Sequence, residues 1–213
     1  MAIELTCTGC GKVLHLPDAS AGKKGKCPHC GATLQVRTVE ELDKAGPLGF
    51  SYAPATMSLW DAVGEGNIAQ VKAHLYRKAD INSKDVDGQT PLHVAARVDH
   101  VEMAKLLLAH GANVNEKDTQ GKTPLFAAAR KGSREMVELL VAHGADINAR
   151  NNDGWTPLHL VACFAQEAAV ELLIGKGADV NAKDKSGRTA REVAIGRKNS
   201  VVAELLRKAE EKE

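Results

Sequence analysis

Four cysteines stand at spacings that suit one kind of chemistry. Cys7 and Cys10 lie in "CTGCG" and Cys27 and Cys30 in "CPHCG", so Cys-x2-Cys is followed by sixteen residues and a second Cys-x2-Cys. Each pair can form a tight knuckle that aims two thiolates at one ion, and Gly11 and Gly31 let the backbone turn back with its amides near sulfur. Four thiolates in tetrahedral array suit one Zn2+ and leave no open coordination position, so the site reads as structural. Iron is the rival metal for four thiolates. It usually comes with a longer gap and an aromatic core, and residues 1–37 contain no Phe, Tyr or Trp. His29 falls between two ligands of a set that is already complete and reads as an exposed spacer.

Two short stretches of apolar/polar alternation, "KVLHLPD" and "ATLQVRT", predict β-hairpin strands around the cysteine pairs. With its four cysteines, the 1–37 segment resembles a zinc ribbon. It is too short to fold on a hydrophobic core alone, so metal binding is expected to supply much of its folding free energy. Ribbons of this kind bind nucleic acid, bind protein or form a small structural module. Lys12, Lys23, Lys24, Lys26 and Arg37 oppose Glu4 and Asp18, a positive balance that Zn2+ with four thiolates largely offsets. No aromatic is present to stack on a base. Residues 38–56 carry Gly46-Pro47, Gly49 and Pro54 and read as a linker, with Phe50 and Tyr52 expected to fold back onto the start of the section beginning at residue 57.

From residue 57 the chain repeats itself. "TPLHVAA" at 90–96 returns as "TPLFAAA" at 123–129, "TPLHLVA" at 156–162 and, weakly, "TAREVAI" at 189–195, a step of 33 residues. "ADIN" at 79–82, "GANVN" at 111–115, "GADIN" at 144–148 and "GADVN" at 177–181 mark the same period. A degenerate first unit begins near Met57, which makes five. Thr90, Thr123 and Thr156 are placed to cap helices whose first residue is proline, where a missing N–H costs nothing. A second helix comes next, such as "VEMAKLLLAH", and then a polar hairpin ending in "DVDG", "DTQG", "NNDG" or "KSG". No single unit can hide its apolar face, so the units must stack.

Residues 57–213 therefore resemble an ankyrin-repeat domain. The resemblance implies a mainly α solenoid of five repeats, starting near 57, 90, 123, 156 and 189, with paired helices and projecting hairpins. It also implies protein–protein binding on a concave surface and no catalytic site. The pattern departs at positions where a left-handed glycine is usual: Lys78, Asp99, Ala165 and Lys198 stand there, each at a cost of about 1 kcal/mol. In the last unit Ala190 and Glu192 replace Pro and His, as a solvent-facing cap tolerates.

Candidate binding residues emerge from the 33-residue frame. Trp155 falls at a hairpin tip and Phe164 at the far end of a first helix, where sister units carry mostly polar or small residues. Gln89, Lys122 and Arg188 match Trp155; Val98, Lys131 and Arg197 match Phe164. The strip also gathers Arg97, Arg130 and Lys185, against Asp87 and Asp153, while residues 57–213 as a whole hold 22 basic and 22 acidic side chains. An aromatic pair in a basic groove suits an acidic protein segment with an apolar anchor; the alternative is that Trp155 and Phe164 lie on each other or on the next hairpin. His93 and His159 read as partners of the capping threonines, His110 and His143 as helix C-terminal charges, Trp60 as a cover for the first unit, and Cys163 as a free thiol.

Composition excludes several classes. Net charge is +1, which gives no global pull toward nucleic acid or membrane. No apolar run reaches the roughly 18 residues of a membrane span, and no secretion signal is visible. Phosphate loops, acid pairs and nucleophile elbows are missing from the sequence. These features predict a cytoplasmic, monomeric, non-enzymatic adaptor. The alternative is a nucleic-acid-associated regulator whose ribbon touches DNA or RNA.

Overall fold

The computed structural model describes residues 2–6, 13–17, 24–26, 33–35 and 57–211. Cys7, Cys10, Cys27 and Cys30 lie outside the described residues, as does the linker over 38–56 with Phe50 and Tyr52. The N-terminal segment contains two antiparallel hairpins. β1 (Ala2–Thr6) pairs with β2 (Val13–Pro17), from Ala2↔Pro17 to Thr6↔Val13. β3 (Lys24–Lys26) pairs with β4 (Thr33–Gln35), from Lys24↔Gln35 to Lys26↔Thr33. The strands expected from alternation are β2 and β4. In sequence, one cysteine pair falls between β1 and β2 and the other between β3 and β4.

The rest is helical: α1 (Leu59–Gly64), α2 (Ile68–Tyr76), α3 (Pro91–Val98), α4 (Val101–Ala109), α5 (Pro124–Lys131), α6 (Arg134–Ala142), α7 (Pro157–Cys163), α8 (Glu167–Gly175), α9 (Ala190–Gly196) and α10 (Ser200–Glu210). Helices this short are marginal alone in water, so packing must hold them. α1 packs on α3, α3 on α5, α5 on α7 and α7 on α9; α4 packs on α6 and α8 on α10. The motif leucines Leu92, Leu125 and Leu158 have no exposed surface, and neither do Ala96, Ala129 and Ala162, whose small side chains let the first helices approach closely. On the second helices the pairs Met103/Leu107, Met136/Leu140, Ala169/Leu173 and Val202/Leu206 are buried at i, i+4 spacing. None of these helices is long and apolar enough to cross a membrane, among the described residues.

The turns obey the expectation set by their unusual residues. Thr90, Thr123, Thr156 and Thr189 are N-caps in extended conformation, with ψ of 165°, 167°, 167° and 166°. Lys78, Asp99, Ala165 and Lys198 are all left-handed, with φ of 57°, 65°, 56° and 61°. Each occupies a turn that glycine fills without strain.

Hairpins are locked by one repeated device. Asp85, Asp118, Asn151 and Asp184 each use Oδ1 to accept the backbone N–H groups two and four residues on, at distances between 2.8 and 3.0 Å. Neighbouring hairpins then join edge to edge. Thr119 N–H donates to Asp87 O (3.0 Å), Asn152 to Gln120 O (2.9 Å) and Lys185 to Asp153 O (3.0 Å). At Gly121 this approach leaves no room for a side chain: a Cβ would lie 2.9 Å from the Asn152 nitrogen. The "ADIN"-type asparagines add a second ladder, with Asn82, Asn115 and Asn148 accepting from the N–H of Asn113, Asp146 and Asp179 at 2.8, 2.8 and 2.9 Å. Two ladders per interface fix the spacing of the hairpin tips, and the candidate site is built from those tips.

Candidate functional site

The third residue of each first helix sets the character of the surface above it. His93 accepts the Thr90 N–H at Nδ1 (3.1 Å) and reaches the Lys122 carbonyl with Nε2 (2.9 Å). His159 repeats this with Thr156 (3.2 Å) and the Arg188 carbonyl (3.0 Å). With Nδ1 accepting, each ring is neutral and donates from Nε2 across to the next repeat. Burial holds both imidazoles below the usual histidine value, against the carbonyls, which favour the charged form. Trp60, expected to cover the first unit, is half-buried and makes the same bond, Nε1–H to Gln89 O at 3.0 Å. The histidines are therefore structural links, as their threonine neighbours suggested.

The unit at 123 departs from this scheme. Phe126 cannot accept or donate, and the buried Thr123 hydroxyl has no hydrogen-bond partner. Phe126 instead forms an apolar cluster with Ala149 and Leu160, and Trp155 packs against it. Trp155 thus follows the packing alternative, resting on the cluster and on the next hairpin, although sister units carry polar residues at its position. It is half-buried against this cluster, in which Phe126 stands where the motif has histidine. Its Nε1–H donates to Asp184 Oδ2 (3.2 Å), and its ring stacks on His159 with centroids 6.3 Å apart.

Beside that cluster lies an open groove of about 660 Å³. Phe126, Ala127 and Leu160 supply its apolar lining; Asp87, Gln89, Asp118 and Gln120 supply hairpin groups. Arg97, Lys122, Arg130 and Lys131 line it as well. Arg97, Arg130 and Lys131 are exposed and make no ion pair among the described residues. Lys122 is half-buried and bonds Gln120 Oε1 at 2.6 Å. Phe164 is 53% exposed, with the Arg130 guanidinium 5.6 Å from its ring centroid.

Not every candidate joins this set. Arg188 is exposed, but its Nε and Nη2 bond Asp184 Oδ2 at 3.0 and 2.9 Å, so its charge is neutralised locally. Burial pushes the Asp184 carboxyl up, yet the Arg188 and Ser186 hydrogen bonds outweigh it and hold the group below the usual carboxylate value. Lys185 and Arg197 do not line the groove, while Asp118, left out of the sequence charge balance, does. The groove thus carries four basic against two acidic side chains, a positive surface but a smaller surplus than the linear strip suggested. His110 and His143 turn Nδ1 toward the carbonyls of Leu106 and Leu139 at 2.9 Å. Cys163 is a half-buried free thiol.

These repeated caps, ladders and helix pairs define a helical repeat protein, and comparison with known proteins gives the class. The family model "Ankyrin repeats (3 copies)" matches residues 59–151 and 146–213, more than half of the chain. The chain belongs to the ankyrin-repeat family. It is 53% identical over 55 residues to "Ankyrin repeat domain-containing protein 49" of Drosophila melanogaster, a match over 25% of each chain. It is 43% identical over 44 residues to a "Putative ankyrin repeat protein" of Rickettsia bellii (strain RML369-C), over 21% of this chain and 45% of that one. The chain thus matches a quarter and just under half of the lengths of these curated relatives.

Proposed function

We propose that this protein is a non-enzymatic, cytoplasmic, monomeric adaptor that holds a partner protein along the groove at its hairpin tips. Ankyrin repeats generally mediate protein–protein interaction. The observation that carries the reading is the set of exposed cations, Arg97, Arg130 and Lys131, standing without ion pairs among the described residues, with Phe126 in the same groove and Phe164 beneath Arg130. Unpaired basic side chains steer and orient an acidic partner, and an adjoining aromatic surface gives its apolar residue a desolvated seat. Arg188 lies at the margin of this footprint, with its charge already spent on Asp184.

A second part of the proposal concerns residues 1–37. Cys7, Cys10, Cys27 and Cys30 would hold one structural Zn2+. The double Cys-x2-Cys spacing supports this, as does the position of each pair between two paired strands in sequence. The four thiolates would be the whole coordination set, so the ion would cross-link two hairpins and stabilise their fold.

The test is affinity capture from native lysate with the full chain and two variants, Arg97→Glu and Phe164→Ala. Both side chains are exposed, so melting temperatures should stay within about 1 °C of the parent while captured partners are lost. Unchanged capture by both variants would exclude the groove as the binding surface.

A further inference from the structure

Asp184 differs from the residues that repeat it. Asp85, Asp118 and Asn151 use Oδ1 to hold their own hairpins. Asp184 Oδ1 does the same, with Ser186 N–H at 2.8 Å and Arg188 N–H at 2.9 Å. Its Oδ2 has a further set of donors: Trp155 Nε1 from the preceding repeat at 3.2 Å, and the Arg188 guanidinium at 3.0 and 2.9 Å. The carboxylate is 1% exposed, so these bonds form away from competing water.

Trp155 is consequently held in three ways. Its indole nitrogen is tied to Asp184, its ring stacks on His159, and it packs against the cluster of Phe126, Ala149 and Leu160. Phe126 and Leu160 also line the basic groove; the indole is not among the lining residues and packs against the cluster to which those two belong. A large side chain that is already immobile loses little entropy when a ligand group settles against it.

We propose that Asp184 is a positioning residue for partner specificity: it fixes Trp155 in the free protein and, through Trp155, the Phe126–Leu160 wall on which the apolar anchor of an acidic partner segment settles. The inference rests on the groove reading and adds a polarity to it. Acidic residues of the partner lie toward Arg97, Arg130 and Lys131, and its apolar anchor lies toward Trp155. Arg188, bound to Asp184, contributes structure rather than charge.

The separating variant is Asp184→Asn in the full chain. Asn151 shows that an asparagine holds this hairpin, with Oδ1 bonds of 3.0 and 2.8 Å, while an amide nitrogen in place of Oδ2 accepts nothing from Trp155. The probes are two synthetic Glu-rich peptides that differ at one central position, Leu or Ala. The substitution also removes a negative charge, which raises affinity for both peptides alike and cancels in their ratio. Expected is a preference for the Leu peptide in the parent that falls about fivefold in Asp184→Asn. Solvent exchange of the Trp155 indole N–H should rise several-fold in the same variant. Trp155→Phe, which keeps an apolar ring and lacks the N–H, should show the same lowered ratio and serves if Asp184→Asn fails to fold. An unchanged ratio or unchanged indole exchange, with both peptides still weakened by Arg97→Glu, overturns the positioning role and leaves the groove reading standing. Absence of peptide binding, or indifference to Arg97→Glu, overturns the groove reading and this proposal with it.

Discussion

Ala165 offers a clean measurement of backbone strain in a repeat. It sits in the turn between α7 and α8 with φ of 56°, and its methyl group is exposed, so removing it sacrifices no packing. A left-handed residue with a Cβ costs about 1–2 kcal/mol. Glycine returns part of that through greater freedom of the unfolded chain, about 0.4–1 kcal/mol. Ala165→Gly should therefore stabilise the domain by about 0.5–1 kcal/mol, or about 1–4 °C in a domain of this size. The chain holds its own control one repeat earlier. Gly132 has φ of 75°, and a Cβ there would meet only Gln166 Oε1 at an ordinary 3.9 Å. Gly132→Ala should lose what Ala165→Gly gains. Urea titration followed by circular dichroism measures both, with an unchanged slope showing that the change lies in stability rather than in the unfolded ensemble. Loss of stability in Ala165→Gly, or a neutral Gly132→Ala, would refute the strain argument.

Three further outcomes are expected. Gly121→Ala should cost at least about 1 kcal/mol more than Gly187→Ala in the same titration, because both glycines are left-handed but only at Gly121 does a Cβ meet a neighbouring hairpin. His93 and His159 have folded-state pKa values below the unfolded one, so the unfolded chain binds more protons in acid. The stability they contribute should be fully present above about pH 6.5 and lost as pH falls below it, and a His159→Gln variant should flatten that slope in melts across the range. Elemental analysis should find one zinc per chain, abolished by Cys30→Ser with the melting of residues 57–213 unchanged; iron with a visible absorption band, or no metal, would refute the four-thiolate zinc reading.

Much of the helical architecture was legible because it rests on local chemistry repeated at a fixed step. A threonine before a proline caps a helix wherever it stands, and the period of 33 residues is visible without any structure. The left-handed conformations of Lys78, Asp99, Ala165 and Lys198 were legible for the same reason, since a turn that needs glycine keeps its geometry when another residue occupies it. The candidate site was less legible where it depends on contacts peculiar to one interface. Trp155 and Asp184 lie 29 residues apart, and nothing in the equivalent pairs of sister units announces their bond. The one available signal was Phe126 in place of the motif histidine, which removes a polar link and leaves an apolar floor for the next hairpin. Asp118 has no place in the linear charge balance; its carboxylate holds its own turn and lines the groove as well.

The central claim is that a partner lies along the hairpin tips and first helices rather than on the second helices. Hydrogen–deuterium exchange of the full chain with and without its captured partner tests it directly. New protection is expected over 87–97, 118–131 and 153–164, strongest near Phe126 and Trp155, with little change in α4, α6 and α8. Protection concentrated in α4, α6 and α8, with the hairpin tips unaltered, would contradict it.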